Sequence, residues 1–167
     1  STGNVGLYSS LALDGDNYPH AAYYNATLGH LKYWCRGPNC CKVVDGVLQC
    51  NTWHRFVLDG DGGQNGATQD RVGKYASLAL DADNNPHVSY YNETQGNLRY
   101  FCKSCRGTSW LRETVDSTGD AGRYSSLVLT PGEIPHISYY DATNGNLKYA
   151  VYTGSWRTET VDDNENN

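Results

Sequence analysis

The sequence predicts an all-β protein of three tandem four-stranded antiparallel sheets, and three observations carry that prediction. The segment YSSLALD at 8–14 recurs as YASLALD at 75–81 and as YSSLVLT at 124–130, so the chain repeats one unit of roughly fifty residues. The composition, with 14 Tyr and 18 Gly beside abundant Asn, Asp, Ser and Thr, suits strands and tight turns better than helices. No window carries an apolar period near 3.6.

Each element recurs in order. The opening strand, A, is the segment just named. Strand B follows as PHAAYYN at 19–25, PHVSYYN at 86–92 and PHISYYD at 135–141. Strand C is LKYW at 31–34, LRYF at 98–101 and LKYA at 147–150. Strand D begins with Trp in every copy: WHRFVLD at 53–59, WLRETVD at 110–116 and WRTETVD at 156–162. Turn residues separate A from B at 15–17 and 82–85, and the B to C tips centre on Gly29, Gly96 and Gly145, where positive φ costs little. One domain, 1–167, therefore divides into units at about 7–59, with a Cys-rich insert at 36–52, about 74–116 and about 123–162. Alternation puts Leu11 and Leu13 on one face of strand A, and in strand B it opposes His20, Ala22 and Tyr24 to Ala21 and Tyr23. A sheet with large side chains on both faces must be covered on both, so the units are expected to stack.

The set Y-S-S-L-A-L-D, P-H-x-S-Y-Y-D/N, L-K-Y and W-x-x-E-T-V-D resembles the blades of repetitive secreted bacterial β-propeller proteins, a group similar in blade layout to NHL-type and sialidase-like propellers. The resemblance spans nearly the whole chain and implies four-stranded propeller-type blades; no catalytic residue carries over from it. Closed propellers usually need at least four blades, so three imply an incomplete ring or an open repeat array, with ends that coincide with blade boundaries and no strand left to latch a ring shut.

The chain has no long apolar run, and its net charge of -5 argues against nucleic acid, acidic substrates or a membrane surface as partner, and membrane insertion is not expected. The absence of Met, including at position 1, reads as a mature secreted product or an excerpt of a longer protein. Six cysteines favour an oxidising, extracellular or cell-surface location. The cysteines fall on the loops expected between strands C and D, and local pairs are expected there, Cys35 with Cys40 and Cys102 with Cys105, leaving Cys41 and Cys50 to close the segment KVVDGVLQ, although six cysteines allow fifteen pairings. A redox-active Cys102-Lys-Ser-Cys105 lacks the helix N-terminus that lowers a thiol pKa, and zinc on Cys35, Cys40, Cys41 and Cys50 would match no common ligand spacing.

His20, His87 and His136 recur behind proline and read as structural groups that serve each blade rather than as a metal ring. Asp14, Asp16, Asp81 and Asp83 read as turn formers, because the third copy makes the same connection with Thr130-Pro-Gly-Glu133. Asp59 and Asp61 in the Gly-rich linker are the calcium candidates, and no other cofactor is implied. Asn25 and Asn92 head acceptor sequons for glycosylation on equivalent hairpins. No catalytic motif is present, so no catalytic residue and no enzyme are expected. The expected function is that of an extracellular structural or assembly protein whose blades self-associate into an oligomer or filament through end faces that present Leu11, Tyr23 and Tyr33 at one end and Tyr140, Tyr149 and Tyr152, or their opposite-facing neighbours, at the other. The alternative is a glycan-binding, lectin-like module with Trp34, Trp53, Trp110 and Trp156 as stacking platforms.

Overall fold

The computed structural model describes residues 3–50, 52–62 and 67–163. Its strands are β1 (Val5–Leu13), β2 (Pro19–Asn25), β3 (His30–Cys35), β4 (Lys42–Val44), β5 (Val47–Gln49), β6 (His54–Asp59), β7 (Val72–Leu80), β8 (Pro86–Asn92), β9 (Asn97–Cys105), β10 (Thr108–Asp116), β11 (Ala121–Leu129), β12 (Pro135–Asp141), β13 (Asn146–Tyr152) and β14 (Trp156–Asp162). They form three four-stranded antiparallel meanders, β1-β2-β3-β6, β7-β8-β9-β10 and β11-β12-β13-β14, and a two-stranded ribbon β4-β5 that rises from the first blade's insert. Every blade is its own sheet; packing, not strand pairing, joins them.

The first strand of each blade starts three residues before the repeated segment, at Val5, Val72 and Ala121. A bulge accounts for the difference. Gly6, Gly73 and Gly122 have φ of 93°, 109° and 112°, and Tyr8, Tyr75 and Tyr124 have φ between 52° and 55°, so the strand kinks twice and resumes pairing after a register shift. The kink turns the three tyrosine rings onto one another, with centroids 4.7 Å apart from Tyr8 to Tyr75 and 4.4 Å from Tyr75 to Tyr124.

Stacking order shows in burial. Strand β8 of the middle blade is buried at every residue, whereas β12 alternates buried with part-exposed and exposed positions because one face of the third blade has no neighbour in the chain. Both joints repeat one set of contacts. The amide of Val72 donates to Gly29 O and that of Ala121 to Gly96 O, at 2.8 and 2.9 Å. The amides of Leu78 and Leu127 donate to Ser10 Oγ and Ser77 Oγ, each at 3.0 Å. Tyr90 and Tyr139 donate their hydroxyls to Asp59 and Asp116, each at 2.6 Å. Around these, Leu31, Leu58, Val72, Leu78, Val88 and Tyr90 form one apolar cluster; Leu98, Val115, Ala121, Leu127, Ile137 and Tyr139 form its counterpart. At roughly 1.5–3 kcal/mol for each large buried side chain, these joints supply the burial that a lone meander lacks.

Two expectations are corrected. The connection from β9 to β10 is not a loop: β9 runs on to Cys105, and Arg106-Gly107, at φ 48° and 72°, closes a two-residue hairpin. Tyr33 does not belong to the bare face of the first blade. It shares a face with Leu31 and Cys35 and is buried toward the second blade, while Lys32 and Trp34 point the other way.

Candidate functional site

The structure brings the six cysteines together as Cys35–Cys40, Cys41–Cys50 and Cys102–Cys105, and no cysteine is free among the described residues. Cys41–Cys50 closes the base of the β4-β5 ribbon, whose Asp45-Gly46 tip takes positive φ at both residues. Cys102–Cys105 lies at the end of β9, directly before Arg106.

The three repeated histidines serve their blades. Each Nδ1 is hydrogen-bonded to a tyrosine hydroxyl on the adjacent strand: His20 to Tyr33, His87 to Tyr100 and His136 to Tyr149. In the first two blades Nε2 faces Asp14 or Asp81 at 3.5 Å. Burial lowers the pKa of His20 and of His87, and the facing carboxylates only partly oppose it. Burial raises the Tyr33 and Tyr100 hydroxyls far above their ordinary range. Asp14 and Asp81 also hold the A to B turns, each accepting two backbone amides, from Asp16 and Tyr18 and from Asp83 and Asn85, while Thr130 Oγ1 caps the third turn.

Asp59 and Asp61 are not assembled as a metal pair. Asp59 is fully buried and accepts hydrogen bonds from Gly60 N, Thr68 N, Thr68 Oγ1 and Tyr90 OH, with Arg99 at 3.5 Å; this is a shell of donors, suited to a carboxylate and not to a cation. Asp61 is exposed, and no cluster of three metal-ligating side chains occurs among the described residues. Asn25 and Asn92 are both buried, with their Oδ1 atoms capping the hairpin at Leu28 N and Gln95 N. The Nδ2 of Asn92, the atom a glycan would occupy, donates to Asp70 at 2.8 Å, so an attached sugar would have to break that bond.

The tryptophans that open strand D divide by position. Trp53 is exposed and meets Trp34 edge-on at 4.5 Å on the bare face of the first blade. Trp110 and Trp156 sit in the joints. Between the first two blades, Tyr33, Phe56, Trp110, Asn39, Asn84 and Lys103 line a cavity of about 170 Å³.

The joint between the second and third blades is richer in polar chemistry. Trp156 donates Nε1–H to Glu113 Oε2 at 2.8 Å, and the Arg106 guanidinium reaches the same oxygen at 2.6 Å. The guanidinium lies 3.9 Å over the Tyr152 ring, and Trp156 meets Tyr100 and Tyr152 edge-on at 5.1 and 5.5 Å. Burial works against the Arg106 charge, but Tyr152 and Glu113 more than offset it, so the guanidinium stays charged. Tyr100 is held from behind by His87. One patch of this joint thus brings together an indole N–H, a carboxylate, a fixed cation and the part-exposed rings of Tyr152 and Trp156, with buried Tyr100 behind them; the Glu113 and Arg106 side chains are each about a quarter exposed, at 29% and 27%. Sequence reasoning singled out Trp156 by its repeat position, set Tyr152 on the outer end face of the third blade instead of in the joint, and missed Arg106 and Glu113. Glu113 follows Trp110 at the spacing by which Phe56 follows Trp53, so the first copy disguises it; the Arg106-Gly107 hairpin signal was there to be read.

No family model matches the chain, and neither does any curated protein. Solved structures do resemble it in fold. A fucose lectin from Kordia zhangzhouensis in complex with methyl-fucoside superposes with a TM-score of 0.54 at 17% identity, over 92% of this chain and 99% of that one. A mutant of AofleA from Arthrobotrys oligospora, with three arginines replaced by alanine, superposes with a TM-score of 0.56 at 15% identity, over 90% of this chain and 42% of that one. At such identities the likeness is one of fold.

Proposed function

We propose that the protein is a non-enzymatic, extracellular glycan-binding protein whose sugar site is at the joint between the second and third blades. The observation that carries this reading is the convergence of Arg106, Glu113 and the Trp156 N–H beside the part-exposed rings of Tyr152 and Trp156. A sugar presents hydroxyls that both donate and accept, and a C–H face that packs on aromatic rings. A carboxylate accepts from two hydroxyls, a guanidinium and an indole donate, and the rings cover the C–H face. The structural likeness to a fucose lectin supports glycan binding as the function, ahead of the purely structural role that the repeat pattern first suggested, and makes a fucoside the first ligand to try. Three disulfides support a location outside the cytosol. A site assembled from groups that already bond one another binds by exchanging those bonds for bonds to sugar, so affinity for a single sugar is modest, on the order of 10 µM to 1 mM.

Titration of the oxidised chain with methyl-fucoside, followed by tryptophan fluorescence and preceded by a glycan array, tests the reading. Binding is expected, with a loss of about tenfold or more in Trp156→Ala and in Glu113→Gln, and no loss in Trp53→Ala. A folded chain that binds no glycan on the array overturns it, as does binding that Trp53→Ala abolishes and Trp156→Ala spares.

A further inference from the structure

The two joints inside the chain use one design, and each end of the blade stack carries half of it. We infer that the third blade of one copy docks on the first blade of another, head to tail, reproducing the joint contacts between chains. The inference rests on the end faces and is independent of the glycan reading.

The first-blade half is bare where its counterparts are covered. Leu11 is 65% exposed, whereas Leu78 and Leu127 at the same place are 7% and 5% exposed. Val5 is 58% exposed, whereas Val72 and Ala121 are fully buried. Gly6 is the sharpest sign. At Gly73 and Gly122 a Cβ would stand 2.7 Å from the Cα of Leu31 and of Leu98 in the preceding blade, so those glycines let two backbones touch. Gly6 keeps the same left-handed backbone, yet a Cβ there would meet nothing within 4 Å.

The third-blade half is its complement. Leu147, the counterpart of the fully buried Leu31 and Leu98, is 45% exposed, and Val161, the counterpart of Leu58 at 0% and Val115 at 7%, is 58% exposed. Gly145 stands where Gly29 and Gly96 accept the amides of Val72 and Ala121, and Ser126 stands where Ser10 and Ser77 accept those of Leu78 and Leu127. Placed across a copy-to-copy joint in the same register, Gly6 meets Leu147, Val5 N–H meets Gly145 O, Leu11 N–H meets Ser126 Oγ, and Tyr23 and Lys32 come to Asp162 as Tyr139 and Lys148 come to Asp116. The open face of the first blade, a groove of about 800 Å³ between Val5, Leu11, Tyr23, Lys32 and Trp34, is the receiving surface. A second copy is the occupant because its end face is the surface that the following blade already covers twice within the chain. The contact is heterologous: unlike faces meet, and both remain available at the ends of any pair, so growth proceeds to a ring or a filament.

Sedimentation velocity on the sugar-free, oxidised chain across micromolar concentrations tests this with two variants, Leu11→Asp at one face and Val161→Asp at the other. Multiples of 18.5 kDa are expected for the parent chain. Each variant alone should be a folded monomer by near-ultraviolet circular dichroism, because both side chains are exposed in the single chain. Mixed in equal amounts they should form a dimer and nothing larger, since one good face remains on each. A parent chain that stays monomeric overturns the inference, as do variants that assemble like the parent or a mixture that forms no dimer.

Discussion

Among single residues, the buried histidines carry the clearest pH signature. His20 and His87 are neutral in the fold because burial lowers their pKa below the ordinary 6.5. The unfolded chain therefore binds protons first as pH falls through 6.5, and stability declines from there downward. Asp116 acts in a lower window. Burial would raise its carboxyl, but hydrogen bonds from Lys148, Thr118 and Tyr139 outweigh burial and bring it to about 2. Its contribution, about 2 kcal/mol, is present above the unfolded pKa of 3.8 and is lost as pH falls toward 2. Urea unfolding at a series of pH values should show both declines, and His87→Gln should flatten the upper one while costing about 1–2 kcal/mol at neutral pH through the lost Tyr100 bond. A stability flat between pH 7 and 5 would contradict the histidine assignment. The repeat made these histidines legible as structural, but their partners were not: Tyr33 and Tyr100 lie thirteen positions away and meet them only through strand register.

For the strands, the bulge and the joints set what can be exchanged. Gly73→Ala must place a Cβ against Leu31 and hold a left-handed backbone, and should cost about 3–4 kcal/mol. Gly6→Ala faces the backbone strain alone and should cost about 1–2 kcal/mol in the monomeric Val161→Asp background. Chemical denaturation of both variants checks the difference, and equal costs would contradict the close approach at the joint. Strand order, hairpin tips and blade division were readable because apolar alternation and turn residues agree in all three copies. The bulge was not, since Tyr8, Tyr75 and Tyr124 are good strand residues whose positive φ only the tertiary stack imposes. The hairpin that carries Arg106 was also missed, because Cys102 and Cys105 suggested a loop where the strand in fact continues.

The whole molecule is a stack whose middle blade is sandwiched and whose end blades are each half bare. Leu78→Asp should abolish folding, because it buries a carboxylate in the joint between the first two blades, whereas Leu11→Asp at the equivalent place should leave the single chain folded. Far-ultraviolet circular dichroism and thermal melting of both variants decide it; a folded Leu78→Asp would contradict the stacked architecture. The need for a covering neighbour was visible in strand B, where both faces carry large residues. The proposed sugar site was not, because it draws Arg106 and Glu113 from one blade and Tyr152 and Trp156 from the next, and only the joint brings them together. The measurement that bears most directly on the account is a crystal structure of the chain soaked with methyl-fucoside. The account predicts sugar density at the joint of the second and third blades, hydrogen-bonded to Glu113 and Arg106 and packed on an aromatic ring; density confined to the bare face at Trp53, or an empty joint in crystals that hold the sugar elsewhere, would contradict it.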